Sequence, residues 1–172
     1  CAGLAKKVLI ADRLAFFIDP LINDAARLGA AAAWLALLGY ALQIYFDFSG
    51  YSDMAIGLGR LFGVELPQNF NSPYQAATPS DFWRRWHRTL STWLRDYLFL
   101  PLGGGSPSAR RRYMAVMGTM LLGGLWHGAN WTFAAWGCYH GALILGFHRI
   151  KRRWLSWPGF VQRALTFAAV TL

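Results

Sequence analysis

The sequence predicts an all-α polytopic membrane protein with interfacial or re-entrant amphipathic helices. Three observations carry that expectation. The 172 residues are 55% hydrophobic and 16% aromatic but only 15% charged, against about 25% charged in a soluble domain. Nineteen consecutive residues, Leu28 to Phe46, hold no charge. A second run, Tyr113 to Phe147, has 35 residues without Lys, Arg, Asp or Glu and is flanked by basic clusters.

The first segment, "GLAKKVLIADRLAFFIDPLIND", mixes apolar and charged residues and is interrupted by Pro20. It reads as an interfacial helix or the frayed end of an earlier span. Leu28 to Phe46 follows. As a helix it is about 28 Å long, enough to cross a bilayer core. "DFSGYSDMAIGLGRLFGVELPQNF" has glycines at 50, 57, 59 and 63 and carries Asp47, Asp53, Arg60 and Glu65. Small residues let helices approach closely in membranes, so this reads as a separate short helix packed on protein, away from lipid.

"NSPYQAATPSDFW" is a turn-rich connector that ends in a helix start. Thr78 is the N-cap, Pro79 fills the first helical position and Asp81 the third, where it complements the helix dipole. The spacing then predicts one amphipathic helix over 79–100. At 100° per residue, Trp83, Trp86, His87, Leu90, Trp93, Leu94, Tyr97 and Leu98 share one arc. Arg84, Arg85, Arg88, Ser91 and Arg95 fall on the other. Such a helix lies at the interface or re-enters the protein.

The 113–147 run is long enough for two short passes, with "HGAN" as the break. Gly128 is flexible and Asn130 favours turns. Each half is close to the lower limit for a span, and His127 falls at the bend. Irregular backbone at membrane depth needs protein or a water-filled cavity around it. Cys138 reads as a small packing residue. Cys1 and Cys138 form no disulfide framework.

The net charge is +9, and its distribution is uneven. Residues 1–96 hold nine Lys/Arg and all eight carboxylates, whereas residues 97–172 hold eight Lys/Arg and no carboxylate. The clusters Arg110 to Arg112 and Arg149 to Arg153 beside apolar spans fit cytoplasmic loops, since membrane insertion retains Lys and Arg on the inner side. Nucleic acid is not an expected partner. The chain opens with Cys1 and closes in the apolar run "ALTFAAVTL", which predicts an internal piece of a longer polytopic protein. A lipid-modified Cys1 is the alternative.

His127 has two readings. As a general base, a neutral imidazole takes a proton from a hydroxyl nucleophile near pH 7, and an ionisable group at membrane depth is expensive enough to suggest function. As a structural histidine, it bonds a backbone carbonyl. His87 is either a second active-site group or an interfacial histidine beside arginines. The row Arg84, Arg85 and Arg88 either holds donor phosphates or lipid headgroups or is a solvated face. His140 and His148 read as packing or helix-end residues. No metal-ligand spacing, nucleophile elbow or P-loop occurs, so no metal or cofactor is expected.

Three ordered motifs, "YFDFSGYSDMAIGLGRLFGVELPQNFNSPY", "DFWRRWHRTLSTWLRDYLFLPLGG" and "GGLWHGANWTFAAWGCYHG", resemble the membrane-bound O-acyltransferases. They resemble most the bacterial branch that includes the alginate O-acetyltransferase membrane subunit. The resemblance covers nearly the whole chain. It implies that residues 1–172 are an internal part of one domain of a bacterial inner-membrane, multi-pass protein whose first and last membrane helices lie outside the chain. It implies a central tunnel, His127 as the essential histidine and His87 as the other recurrent one. Arg88 stands where a less charged residue is expected.

The implied reaction moves an acyl group, expected to be acetyl, from a cytoplasmic thioester to a hydroxyl. The donor is acyl-CoA or an acyl carrier protein. The hydroxyl belongs to an exported polysaccharide such as alginate or to a partner acyltransferase that relays the group. Trp126 and Trp131 would wall the site, and Asn130 would orient the imidazole, bond the oxyanion or cap a helix. Two other classes stay open: a transporter or channel-like protein in which His127 shuttles protons, and a scaffold subunit without catalysis.

Overall fold

The computed structural model describes residues 1–171. All regular structure among the described residues is helical. The described residues divide into two compact units, 1–70 with Thr171, and 71–170.

The first unit is two helical arms and a long helix. α1 (Ala2–Ala5) continues through a π-helical stretch, Lys6–Ala11, into α2 (Asp12–Asn23). Pro20 lies inside α2 and does not interrupt it. The helix ends three residues later, at Asn23. After a 3-10 turn, Ala25–Arg27, comes α3 (Ala30–Leu61).

α3 corrects the sequence reading. The expected span and the expected short helix after it are one helix of 32 residues, about 48 Å at the usual rise. The small residues do not end it because they are its packing face. Ser49, Gly50 and Ser52 are buried, and a Cβ on Gly50 would lie 2.8 Å from the Gly3 carbonyl. The charges do not end it because each acidic one finds a lysine. The Lys6 Nζ is 2.6 Å from Asp53 Oδ2, and the Lys7 Nζ is 2.6 Å from Asp47 Oδ1 and 2.8 Å from Asp12 Oδ1. α3 stops where Gly63 takes φ +73° and the Val64 amide donates to the Gly59 carbonyl at 2.9 Å, a left-handed cap that glycine accepts readily. By length and composition α3 is the one described helix that qualifies to cross a membrane.

In the second unit a 3-10 turn, Pro73–Gln75, leads to α4 (Pro79–Arg85). Its cap is as the sequence predicts: the Asp81 amide donates to Thr78 Oγ1 at 3.1 Å. The predicted helix over 79–100 is not continuous. Trp86 is extended, His87 is left-handed at φ 41°, ψ 58°, and α5 (Arg88–Leu94) starts afresh. The break leaves carbonyls without helical partners, and specific groups satisfy them. The Asn71 amide donates to the Arg85 carbonyl at 3.0 Å, and the Ser91 hydroxyl donates to the Trp86 carbonyl at 3.1 Å. α5 passes into a π-helical stretch, Arg95–Gly104, with a kink at Gly103.

α6 (Ala109–His127) and α7 (Trp131–Trp154) form the expected hairpin with its bend at Gly128–Asn130. Neither has the length and composition that mark α3 as a candidate span, and basic residues sit at the first turn of α6 and the last turn of α7. The two helices meet backbone to backbone. A Cβ on Gly137 would run into the Met120 carbonyl, and one on Gly124 into the Phe133 carbonyl. Cys138 is exposed, against the expectation of a packing residue. Gly137 and Gly141 hold the α6-facing positions of α7, and Cys138, one position on from Gly137, is rotated about 100° away from that face. α8 (Gly159–Thr171) follows, and the Tyr139 hydroxyl on α7 donates to its Ala169 carbonyl at 2.8 Å.

Candidate active site

The second unit forms a half-open cavity of about 270 Å³ with both motif histidines on its wall. Forty residues separate them in sequence. His127 arrives as the last residue of α6, and Gly128 leaves extended at φ 164°. That glycine has a steric reason: a Cβ there would lie 2.7 Å from the Phe133 ring, which stacks on the His127 imidazole at 6.0 Å. Trp126 and Trp136 complete an aromatic collar, with centroids 5.0 and 5.4 Å from His127.

His87 reaches the cavity because of the break between α4 and α5. Its left-handed backbone is uncommon for a residue with a side chain. It places the imidazole 6.1 Å from the Trp126 ring, so Trp126 stands beside both histidines.

The remaining wall is mostly apolar. Trp83, Leu90, Leu94 and Phe99 come from the α4–α5 side, Val116 and Met120 from α6, and Trp136 and Ile144 from α7. The cavity is elongated along the hairpin. Val116 and His127, both lining it, are eleven residues apart on α6, about 16 Å. The hairpin is antiparallel, so the cavity runs from the histidines towards the end that carries Arg110 to Arg112 and Lys151 to Arg153.

Four of the predicted substrate-binding residues lie elsewhere, and a fifth touches the site only through its ring. Asn130 is the N-cap of α7, its Oδ1 accepting from the Thr132 amide at 3.2 Å. Trp131 is 88% exposed and does not line the cavity. Arg84 is exposed. Arg85 is committed elsewhere: its Nε donates to Asp81 Oδ2 at 2.8 Å, and its Nη1 to the Asn71 carbonyl at 3.4 Å. Trp126 is 59% exposed and contacts the two histidines edge-on.

The cavity instead recruits Ser91 and Arg95, both on the polar arc of the predicted helix. The arc fails because a single helical phase does not survive a left-handed residue at 87 and a π-helical stretch from 95, which holds more residues per turn. Trp93 and Tyr97, placed on the apolar arc, are exposed for the same reason. Ser80 and Thr119, also on the wall, had no sequence signal beyond being small and polar in apolar surroundings.

The sequence model of the membrane-bound O-acyltransferase family matches residues 1–169. The chain is 52% identical to a peptidoglycan O-acetyltransferase of Helicobacter pylori over 99% of this chain and 33% of that protein. It is 54% identical to a probable alginate O-acetylase of Azotobacter vinelandii, over 83% of this chain and 28% of that protein. A teichoic acid D-alanyltransferase of Bacillus subtilis is 31% identical over 77% of this chain and 38% of that protein. The chain thus spans about a third of the length of these relatives. With a match over nearly its whole length, the chain belongs to the membrane-bound O-acyltransferase family.

Proposed function

We propose that this chain carries the reaction centre of a bacterial inner-membrane O-acyltransferase. The enzyme moves an acyl group, acetyl in this branch, from a cytoplasmic thioester to a hydroxyl of an exported polysaccharide or of a relay partner. One observation carries the reading: two histidines forty residues apart meet on one wall of an elongated apolar cavity that runs towards the basic end of the hairpin. Relatives that act on peptidoglycan, alginate and teichoic acid by name support the same class of acceptor.

The donor arm enters from the basic end, where cations attract its phosphate or an acidic carrier. The apolar wall keeps water from the thioester. His127 accepts the hydroxyl proton as the oxygen attacks the thioester carbonyl carbon. His87 donates a hydrogen bond to the carbonyl oxygen as it becomes an oxyanion. The tetrahedral intermediate collapses, the carbon–sulfur bond breaks, and the thiolate takes back the proton from His127. The products are an ester and a free thiol. The chemistry needs no metal and no redox group.

The test uses the full-length parent protein in membranes. With protein levels equal, His127→Ala should lower ester-linked acetyl on the exported polysaccharide by at least about a hundredfold. Unchanged acetylation would overturn the assignment and favour a scaffold.

A further inference from the structure

The second unit holds far more cations than carboxylates. Residues 71–170 contain twelve Lys/Arg and two carboxylates. Both carboxylates are taken within the unit, Asp81 by Arg85 and Asp96 by Arg95. Two of the remaining cations converge on His148 from different helices. Lys151 is one turn from His148 on the same face of α7, and Arg84 comes from α4. Both lie within electrostatic reach of the His148 ring, and no carboxylate is among the groups acting on it. All three residues are exposed.

The convergence is built into the packing of α4 on α7. The Trp83 ring, next to Arg84 in sequence, lies edge-on to Trp136 and His140 at 5.6 and 5.1 Å. The Trp154 indole, one turn beyond Lys151, donates to the Ala77 carbonyl just before α4 at 2.8 Å. These contacts bracket His148 and Lys151 along α7, so α4 cannot carry Arg84 away from them. Like charges held near one another repel, and an anion between them turns that repulsion into attraction.

We propose that Arg84, His148 and Lys151 bind the phosphate of an anionic phospholipid headgroup between α4 and α7. The chemistry is complementary: a guanidinium forks two phosphate oxygens, an ammonium adds a point charge, and an imidazole N–H donates a further bond. The surroundings favour a lipid over a free phosphate. The three residues stand where the apolar run of the hairpin gives way to its basic end. Trp154 and Trp157 pair beside them at 5.3 Å, and tryptophan is enriched at the level of lipid headgroups. Ile150 and Leu155 on the same turns of α7 are exposed and offer apolar surface to acyl chains. Basic pockets between helices at the cytoplasmic side are a known form of headgroup recognition. The site does not depend on the acyl-transfer reading, since none of the three residues lines the cavity.

The experiment titrates the purified full-length parent, in neutral detergent, with dioctanoyl phosphatidylglycerol and counts bound lipid by native mass spectrometry. Phosphatidylglycerol should bind saturably, and dioctanoyl phosphatidylcholine at least about tenfold more weakly. Arg84→Gln combined with Lys151→Gln should weaken phosphatidylglycerol about tenfold or more, the worth of its charge-assisted bonds. Lys151→Arg should keep most of the affinity. Arg110→Gln combined with Arg111→Gln removes the same charge from α6 and should change it by less than about twofold.

Equal losses in the two double variants would mean that overall charge attracts the lipid, and would overturn the site. So would the absence of saturable binding, or unchanged affinity in the Arg84/Lys151 variant. Glycerol phosphate is added as a competitor. Displacement of phosphatidylglycerol at matching concentrations would show that the site takes a free phosphate and overturn the lipid assignment. If the double variant does not fold, Arg84→Gln alone carries the comparison. The His127→Ala transfer assay is independent of every one of these outcomes, so the acyl-transfer reading and the lipid site fail separately.

Discussion

Two helix crossings in this molecule use the same small residues and treat their polar neighbours in opposite ways. In the first unit, Gly3 and Gly50 bring α1 and α3 together, and the charges beside them neutralise each other as Lys6–Asp53 and Lys7–Asp47. In the second, Gly124 and Gly137 bring α6 and α7 together, and the polar groups beside that crossing are histidines walled by aromatic rings. No described carboxylate lies beyond Asp96 to pair with them. An ion pair fixes both partners in their charged forms. An imidazole in an aromatic collar keeps a lone pair for incoming substrate. Close packing serves both crossings, and the proposed function assigns reactivity to the one whose neighbours are histidines.

The contrast is tested most strongly by exchanging what the two crossings carry. Asp53→Asn should leave transfer per folded molecule within about twofold, while His127→Asn should abolish it; comparable losses in an acetyl-transfer assay would erase the distinction. The crossings themselves should respond alike. Gly137→Ala drives a methyl group into the Met120 carbonyl and Gly50→Ala one against the Gly3 carbonyl. Each should cost about 1–3 kcal/mol or more, read as a lowered melting temperature in detergent. A neutral result at either would mean that its helices are free to separate.

Backbone and side chain can be split at His87. Asparagine tolerates the left-handed region better than most residues, so His87→Asn should fold like wild type yet lose transfer. His87→Ala should lose transfer and also some stability, since alanine lacks the polar side chain that eases the left-handed region for Asn and His. Equal melting temperatures for the two variants would remove the argument that the turn carries strain.

A smaller effect is expected from the first unit's ion pair. Lys6 and Asp53 side chains are about one-third exposed, so solvent weakens their attraction and the pair contributes about 1 kcal/mol at most. Lys6→Asp with Asp53→Lys should recover part of the melting temperature lost in either single variant. The cap of α4 gives a similar figure: Thr78→Ala should cost about 1 kcal/mol, read as a lowered melting temperature.

Much of this was legible in the sequence because it depends on neighbours along the chain. The α6–α7 bend follows from an apolar run interrupted by "HGAN". The start of α4 follows from Thr78, Pro79 and Asp81. His127 stood out as a titratable residue isolated in apolar surroundings, and the family motif fixed it further. Local readings erred where distant groups decide. α3 runs on past Asp47 because lysines of another helix neutralise its charges. Asn130 serves the α7 cap, and Arg85 is taken by Asp81 and Asn71.

The sequence by itself determined the helical class, the hairpin, the charge asymmetry and the two histidines, because periodicity, turn chemistry and composition act over a few residues. Only the tertiary structure decided that the 79–100 segment breaks at His87. The carbonyls exposed there are satisfied in part by Asn71, from outside the segment. That break turns His87 towards Trp126 and Ser91 and Arg95 into the cavity. The site thus exists only once the backbone groups freed by a broken helix have found partners elsewhere in the fold.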